Sequence, residues 1–275
     1  MTVADTKVIS KITPGELKKI ITIPDIAWLT IILLICSLST QAITVYLLHI
    51  GSITNYMAIL INSIAIFVSF TPMHDASHGS VACHKYGYIN TIIGHCAGCA
   101  FPLPFDAFKY LHFQHHKHTN EPDEDPDLFV GGGSAIMLPI KLFSLEYCYY
   151  YMYLSRISTR PVFEVIRALS FLAGSYGSLY YLYNHGFSTE VLYGILIPGR
   201  IAAAYLALVF DYLPHKPFVS RKLDAFKATC VLSLFDKTTT WMLTWPLLQQ
   251  NYHSKYYLSC RLCYVIDVTL YRYIL

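Results

Sequence analysis

The chain has few charged residues and no concentrated run of one sign. Asp, Glu, Lys and Arg make up 13% of its 275 residues, about half the share of an ordinary soluble domain. The net charge is +3, and no cluster of Lys or Arg offers a surface for phosphates, which argues against a nucleic-acid partner. Hydrophobic residues instead reach 55%, with a mean hydropathy of +0.43. This excess indicates an integral membrane protein.

The N-terminal segment, residues 1–24, lacks the apolar core and small-residue cleavage site of a signal peptide. It is polar, and its cations are Lys7, Lys11, Lys18 and Lys19. We therefore expect a cytoplasmic segment, with membrane insertion driven by the first transmembrane helix.

The eight cysteines form no recognisable disulfide framework. Two C-x-x-C pairs, Cys96–Cys99 and Cys260–Cys263, lie far apart in hydrophobic sequence, which argues against a shared zinc site. We predict free thiols, as is usual in a reducing compartment.

The sequence contains long hydrophobic runs that could cross a membrane. Four stretches reach the length of about 20 residues that a spanning helix needs; they are residues 26–49, 53–72, 165–183 and 191–212. The links within each pair lack Lys and Arg, whereas 14 of the 20 Lys and Arg residues lie in the N-terminus, in 85–160 and in 216–227. The positive-inside rule then places both termini and the middle segment in the cytoplasm. The predicted fold is all-α: an integral membrane protein with four transmembrane helices in two hairpins and a cytoplasmic histidine-rich helical cap.

Two further apolar stretches, residues 92–108 and 137–153, are interrupted by Gly, Pro or charge. They are predicted to be helices lying at the membrane interface. Between them runs an acidic, proline-broken segment, residues 119–127. Its first half, Glu121 to Glu124, is predicted to be a solvated turn. Arg200 lies inside the fourth predicted span, and it is expected to face the helix bundle or a substrate passage because an arginine facing lipid is costly.

Histidine is concentrated in the parts predicted to face the cytoplasm. His74 and His78 are four residues apart, and His112, His115 and His116 follow within one short segment. On a helix, residues three and four apart share a face. Neutral imidazole is a good ligand for iron, zinc and copper, so a metal site is favoured over five separate core histidines.

Other polar residues are predicted to meet on the same side of the membrane. Asp211 and His215 fall at the cytoplasmic end of the fourth span, and His253 comes later in the chain. Asp125 and Asp127 suit acceptors for the ring N–H of a metal-bound histidine. His49 and His185 fall on the opposite side and are expected to be ordinary interfacial residues.

The spacing H-x3-H at 74–78 and H-x2-H-H at 112–116 resembles the histidine boxes of the membrane fatty acid desaturase and hydroxylase superfamily. Within it, the chain is most similar to beta-carotene hydroxylases of the cyanobacterial type. The resemblance covers about residues 55–253, and its matching stretches are His74-Asp-Ala-Ser-His78, Phe101-Pro-Leu-Pro-Phe105, His112-Phe-Gln-His-His-Lys-His-Thr-Asn120, Asp125-Pro-Asp127, Phe210-Asp-Tyr-Leu-Pro-His-Lys-Pro-Phe218 and Gln250-Asn-Tyr-His253.

The resemblance implies two irons that activate O2. The catalytic group it implies is His74, His78, His112, His115 and His116. The implied iron ligands are these five together with His215 and His253. His118, Asp75 and Asp211 are implied to support the ligands by hydrogen bonds.

The chain departs from the family pattern at its third histidine box. His253 stands where that box should begin, but Tyr256 and Tyr257 occupy the positions of the later histidines. A phenol, with a pKa of about 10, is a poor substitute for imidazole, so the second iron is predicted to be weak or absent. The predicted boundaries are 1–24 for the N-terminal segment, 25–253 for the desaturase-like domain and 254–275 for a divergent tail.

Three functions remain open at this point. The first is an O2-dependent oxidoreductase that hydroxylates a carotenoid or similar isoprenoid, and the second is an acyl-lipid fatty acid desaturase. The third is a non-catalytic relative, because the third box is broken. No heme-binding pattern, flavin fingerprint or iron–sulfur cysteine spacing is present, so a partner such as ferredoxin is expected to supply electrons. A metal transporter is disfavoured because no histidine or carboxylate lies mid-span.

Overall fold

The computed structural model describes residues 24–224 and 227–230 of the chain. Residues 1–23, His253, the Cys260–Cys263 pair and the predicted tail lie outside this part, so the predictions made for them stay predictions. The described part contains seven helices of ten residues or more: α1 Trp28–His49, α2 Asn55–Ser77, α3 Tyr88–Gly98, α4 Phe105–His118, α5 Leu138–Ser155, α6 Val162–Asn184 and α7 Glu190–Tyr212. Short helical turns are His84–Tyr86, Leu128–Gly131, Ala135–Met137 and Ile157–Thr159.

Extended structure within the described residues is limited to one antiparallel bridge between Ile26 and Ala82. For this part of the chain the all-α prediction is confirmed. The bridge ties the start of α1 to the segment after α2, where the backbone N–H of Ala27 donates to the carbonyl of Val81 over 2.7 Å.

Three helices of the described part, α1, α2 and α7, are long and apolar enough to cross a membrane. The predicted third span does form a helix, α6, but it is not among these three. Glu164 and Arg167 lie in its first turns, and its second half is rich in Gly, Ser and Tyr, which lowers its apolar character. The structure thus supports three spanning helices where the sequence predicted four.

Small and polar side chains join the three apolar helices. Ser37 of α1 donates to the carbonyl of Ala65 in α2 over 2.6 Å. Asn62 of α2 donates to the carbonyl of Gly194 in α7 over 2.7 Å. Such residues let helix backbones approach closely and satisfy polar groups away from water. As a result α2 is held between α1 and α7.

Two predicted segments have different bounds in the structure. The second span was predicted to end at Pro72, but α2 continues to Ser77 with Pro72 inside it. The interfacial helix predicted over 92–108 is wrong as a single element, because the chain leaves the helix after Gly98 and enters a new one at Phe105. Pro102 and Pro104 lie in the break, where they cannot continue a helix.

Candidate metal centre

Four histidines from two helices converge at the end of α2. His74 lies in the last turn of α2 and His78 caps its C-terminus, while His112 and His116 lie four residues apart on α4. One ligand atom from each ring lies within 4.8 Å of those from the other three. We call these four residues the ring cluster. Its members are buried except His78, which is half-buried.

Three ring nitrogens of the cluster form a compact triangle. Nε2 of His78 lies 2.8 Å from Nε2 of His112 and 3.2 Å from Nε2 of His116, and the third side is 3.0 Å. Two nitrogens bound at right angles to one ion, each at about 2.1 Å, would be about 3.0 Å apart. A neutral imidazole has one donor and one acceptor, so three converging Nε2 atoms are better satisfied by one cation than by shared protons. The triangle therefore fits one face of a metal site.

The environment keeps His112 in the form that binds metals. Burial lowers its pKa well below the ordinary value of 6.5, and the neighbouring rings of His116, His74 and His78 lower it further. Neutral imidazole offers a lone pair, whereas imidazolium does not. At neutral pH the His112 side chain is thus available as a ligand.

His115 belongs to a second, adjoining group. Its Nδ1 lies 2.8 Å from Asp125 Oδ1 and 3.0 Å from Asp127 Oδ2, and its ring centroid lies 4.8 Å from that of His215. Burial lowers the pKa of His115, but Asp127 and Asp125 outweigh it and raise the pKa to about 9. With that pKa the ring carries a proton on both nitrogens at neutral pH when no metal is bound. The carboxylates favour the proton on Nδ1, so a metal would bind at Nε2 by displacing the proton there.

Asp127 links this second group to two further helices. It accepts a short hydrogen bond from the hydroxyl of Tyr149 in α5, and its carboxyl is also hydrogen-bonded to that of Asp211 in α7. Burial raises the pKa of Asp127 above its ordinary value. Burial likewise raises the pKa of Tyr149 well above 10. Its hydroxyl therefore stays protonated and acts as the donor in this hydrogen bond. Asp211 thus contacts the site through Asp127.

Hydrogen bonds hold the segment that follows α7 against the C-terminal end of α4, and this places His215 next to His115. The side-chain amide of Asn120 donates to the carbonyls of Val219 and Ala228, over 2.9 Å and 2.7 Å. Arg221 donates a short hydrogen bond to the carbonyl of His116. The residues joined by these contacts are about 100 positions apart in the sequence. Patterns in the local sequence therefore do not predict them.

The other predicted site residues lie in separate places. Asp75 accepts from the hydroxyl of Thr30 over 3.3 Å, and its Oδ1 lies 3.7 Å from Nδ1 of His74. His118 directs Nδ1 to Glu121 Oε2, 3.1 Å away, at the start of the acidic segment. Glu121 is buried, so the prediction of a solvated turn is wrong at that residue, although the next three residues are exposed.

His49 and His185 lie at the opposite helix ends from the ring cluster. His49, in the last turn of α1, places Nδ1 2.8 Å from Glu190 Oε1. His185 follows the end of α6 and stacks on Tyr181. Neither is near the candidate metal centre.

An apolar cavity adjoins both histidine groups. It is partly open to its surroundings. His74, His112 and His115 line one part of it, which we call the histidine end. Its walls are mainly aromatic and aliphatic; they include Phe70, Met73, Phe108, Leu145, Leu206 and Phe210. Such a shape accepts an apolar molecule next to the place where a metal would sit.

Sequence reasoning missed two of the residues that shape the site. Tyr149 lies in a run of tyrosines, Tyr149-Tyr150-Tyr151, and no local pattern distinguishes it from its neighbours. Asn120 stands next to the second histidine box, but its partners are distant in sequence. A paired, co-varying change between α5 and the segment at Asp127 is the kind of signal that could have found Tyr149.

The fold and the site define a helical membrane protein with a histidine cluster that fits a metal ion beside an apolar cavity. Residues 52–255, well over half of the chain, match the family model described as fatty acid desaturase. The chain therefore belongs to the fatty acid desaturase family.

Several characterised relatives are similar over short stretches. The sn-1 oleoyl-lipid 12-desaturase of Anabaena variabilis is 35% identical over 77 residues, which is 26% of this chain and 21% of the relative. That of Synechocystis sp. is 36% identical over 61 residues, 22% of this chain and 17% of the relative. The beta-carotene ketolase of Haematococcus lacustris is 29% identical over 91 residues, 33% of this chain and 27% of the relative. The matches thus span less than a third of these relatives' lengths.

Proposed function

We propose that the chain is a membrane iron oxygenase that uses O2 to hydroxylate a carotenoid or similar isoprenoid lipid. The observation that carries this proposal is the ring cluster beside an apolar cavity, which two of its members, His74 and His112, line. A metal-binding group placed there would meet a lipid-soluble molecule with little water present. Membership of the fatty acid desaturase family supports the same reaction class.

The donor set suits iron. The first ion would be held by His74, His78, His112 and His116. A second would take His115 and His215, with His253 outside the described residues as a further ligand. Nitrogen-rich ligation by imidazole suits iron, zinc and copper alike, and the family makes iron the choice. When bound, redox-active iron would supply the oxidation by O2 of an unactivated C–H bond.

The chain's own residues would prepare the site for that reaction. The phenylalanines and leucines of the cavity wall exclude water and orient an apolar substrate. His112 stays neutral, and the two aspartates beside His115 fix which of its ring nitrogens carries the proton. Electrons would come from a ferredoxin-like partner on the cytoplasmic side, where we also place the histidine boxes.

Product analysis in a host that makes beta-carotene would test the proposal. We expect hydroxylated carotenoid with the wild-type chain and none with His112→Ala or His116→Ala. His185→Ala is the matched control, because it also removes a histidine but lies away from the site. Hydrocarbon carotenoid left unchanged in every culture, with the chain present in the membrane, would refute carotenoid hydroxylation.

An acyl-lipid desaturase is the second candidate, and the similarity to the sn-1 oleoyl-lipid 12-desaturase of Anabaena variabilis favours it. Fatty acid analysis of the same cultures separates the two functions, since an added double bond without hydroxylated carotenoid selects the desaturase.

A non-catalytic relative is the third candidate, because Tyr256 and Tyr257 replace histidines of the third box. Metal analysis of the purified chain tests it. Two irons per chain would exclude this candidate, and zinc or no metal would exclude the oxygenase.

A further inference from the structure

A charged pair lies in the wall of the apolar cavity, away from its histidine end. Arg200 is at the middle of α7, a helix apolar enough to cross a membrane. It forms an ion pair with Glu146 of α5, and its guanidinium lies 5.6 Å from the ring centroid of Tyr147. Both Arg200 and Glu146 line the cavity. Ionisable residues inside a membrane are costly, and they mark functional sites more often than structural ones.

Two tyrosine hydroxyls lie in the same part of the cavity. Tyr150 donates to the carbonyl of Pro102 over 3.2 Å, and its oxygen lies 3.3 Å from that of Tyr176. A hydroxyl has one proton, so Tyr176 is the donor to Tyr150. The oxygen of Tyr176 therefore keeps its own lone pairs for an acceptor role. We call Arg200, Glu146, Tyr150 and Tyr176 the polar subsite.

Arg200, the cation of the polar subsite, is well separated along α7 from the histidine end. Arg200 and Asp211 line the cavity from the same helix, and at the helical rise per residue they are about 15 Å apart. Asp211 contacts the histidine groups through Asp127. A molecule that fills the cavity would thus place one part at the histidines and another, on the order of 15 Å away, at the polar subsite.

The charges of the pair restrict what can bind there. Arg200 and Glu146 neutralise each other, so a carboxylate or an ammonium would bring an uncompensated charge into an apolar cavity, which is costly. A neutral oxygen can instead accept from the guanidinium, because its five N–H donors outnumber the contacts it makes with Glu146 and with the carbonyl of Phe143, which lies 3.5 Å from Nη1. A hydroxyl can also donate to the oxygen of Tyr176.

We propose that the polar subsite recognises a neutral oxygen group, such as a hydroxyl, carbonyl or ester, on a lipid whose apolar remainder reaches the histidine end. This inference rests on the proposed function, in that the cavity must accept a lipid. It adds that the preferred lipid carries an oxygen far from the reacting carbon.

Binding of three polyenes with one skeleton tests the proposal without requiring catalysis. Retinol, retinoic acid and the corresponding hydrocarbon differ only in the terminal group. Their dissociation constants are measured on the purified full chain in detergent micelles from the change in polyene absorbance. We expect retinol to bind the wild-type chain at least about fivefold more tightly than the hydrocarbon, the effect of one or more hydrogen bonds, and more tightly than retinoic acid.

Two variants should change this preference in different directions. Arg200→Met should abolish the preference for retinol over the hydrocarbon. Glu146→Gln should leave the guanidinium without its counter-charge, and retinoic acid should then bind more tightly than retinol. Tyr176→Phe removes a single hydroxyl and is expected to fold normally, with retinol binding weakened about threefold to tenfold.

Arg167→Met is the matched control, because Arg167 also joins two helices through a carboxylate, that of Asp106, but does not line the cavity. Equal retinol preference in wild type, Arg200→Met and Tyr176→Phe would overturn the inference while leaving the lipid cavity intact. A preference lost to the same extent in Arg167→Met would also overturn it. Failure of the wild type to bind any of the three polyenes would overturn the inference and the lipid-binding function together.

Discussion

Nδ1 of His115 donates to Oδ1 of Asp125 over 2.8 Å, with both side chains almost completely buried. This bond sets the tautomer of His115 and directs its other ring nitrogen to the metal. Asp125→Asn would replace the charged acceptor, and a loss of this kind commonly lowers metal affinity or activity about 10- to 100-fold. We expect a corresponding fall in bound iron, measured on the purified chain by metal titration. Asp123→Asn, an exposed change in the same loop, should keep its iron; equal losses in both variants would contradict the assignment.

His112→Ala and His118→Ala should differ in metal content although the two histidines share one helix. His112 belongs to the ring cluster, whereas the structure places His118 against Glu121. We expect His112→Ala to lose the metal of the ring cluster and His118→Ala to keep it. Elemental analysis of both variants, purified in parallel, gives the answer. A loss in His118→Ala as large as that in His112→Ala would show that His118 acts on the ligands.

Gly194→Leu should destabilise the helix bundle. A Cβ atom at Gly194 would lie 3.0 Å from Cγ2 of Val45 in α1, so a larger side chain must push the helices apart. Overpacking of this kind costs about 1–3 kcal/mol. The comparison is Gly177→Leu in α6, where a Cβ would meet nothing within 4 Å. Thermal unfolding in detergent micelles should show a lower midpoint for Gly194→Leu alone; equal midpoints would contradict the close approach.

Asn120→Ala should loosen the segment that carries His215. The change removes the donor to the carbonyls of Val219 and Ala228, and a buried acceptor left unsatisfied costs about 1–3 kcal/mol. We expect faster proteolysis between residues 213 and 230, followed by mass spectrometry of the fragments. Asn184→Ala, which removes an exposed side-chain bond to Tyr180, should leave that rate unchanged. If both variants are cut at the wild-type rate, Asn120 does not hold the segment.

Local periodicity was sufficient to predict the histidine pairs. His74 and His78, and likewise His112 and His116, are four residues apart, so a helix places each pair on one face without any knowledge of the tertiary fold. Asp125 and Asp127 were also predicted to accept the ring N–H of a metal-bound histidine, and the structure identifies His115 as the histidine next to them. These predictions depend only on residues that are close to one another in the sequence.

Features that depend on distant contacts were not predicted. The role of Tyr149 arises from the packing of α5 against Asp127, and that of Asn120 from the return of the chain after α7. The third predicted span does form a helix, α6, but with Glu164, Arg167 and many tyrosines it is not among the three described helices apolar enough to cross a membrane, so its place in the membrane stays a prediction. The break between α3 and α4 was missed as well, since the apolar character of the sequence continues across its prolines.

The continuation of α2 beyond Pro72 has a mechanical consequence. The helix α2, which is apolar enough to cross a membrane, carries His74 in its last turn and His78 at its C-terminal cap, while His112 and His116 lie on α4, a shorter helix outside the three apolar ones. A tilt of α2 to match a thinner or thicker bilayer would therefore displace one half of the imidazole set against the other. We therefore expect the lipid composition of the host membrane, through the bilayer thickness, to alter the distances between the two pairs of imidazole rings.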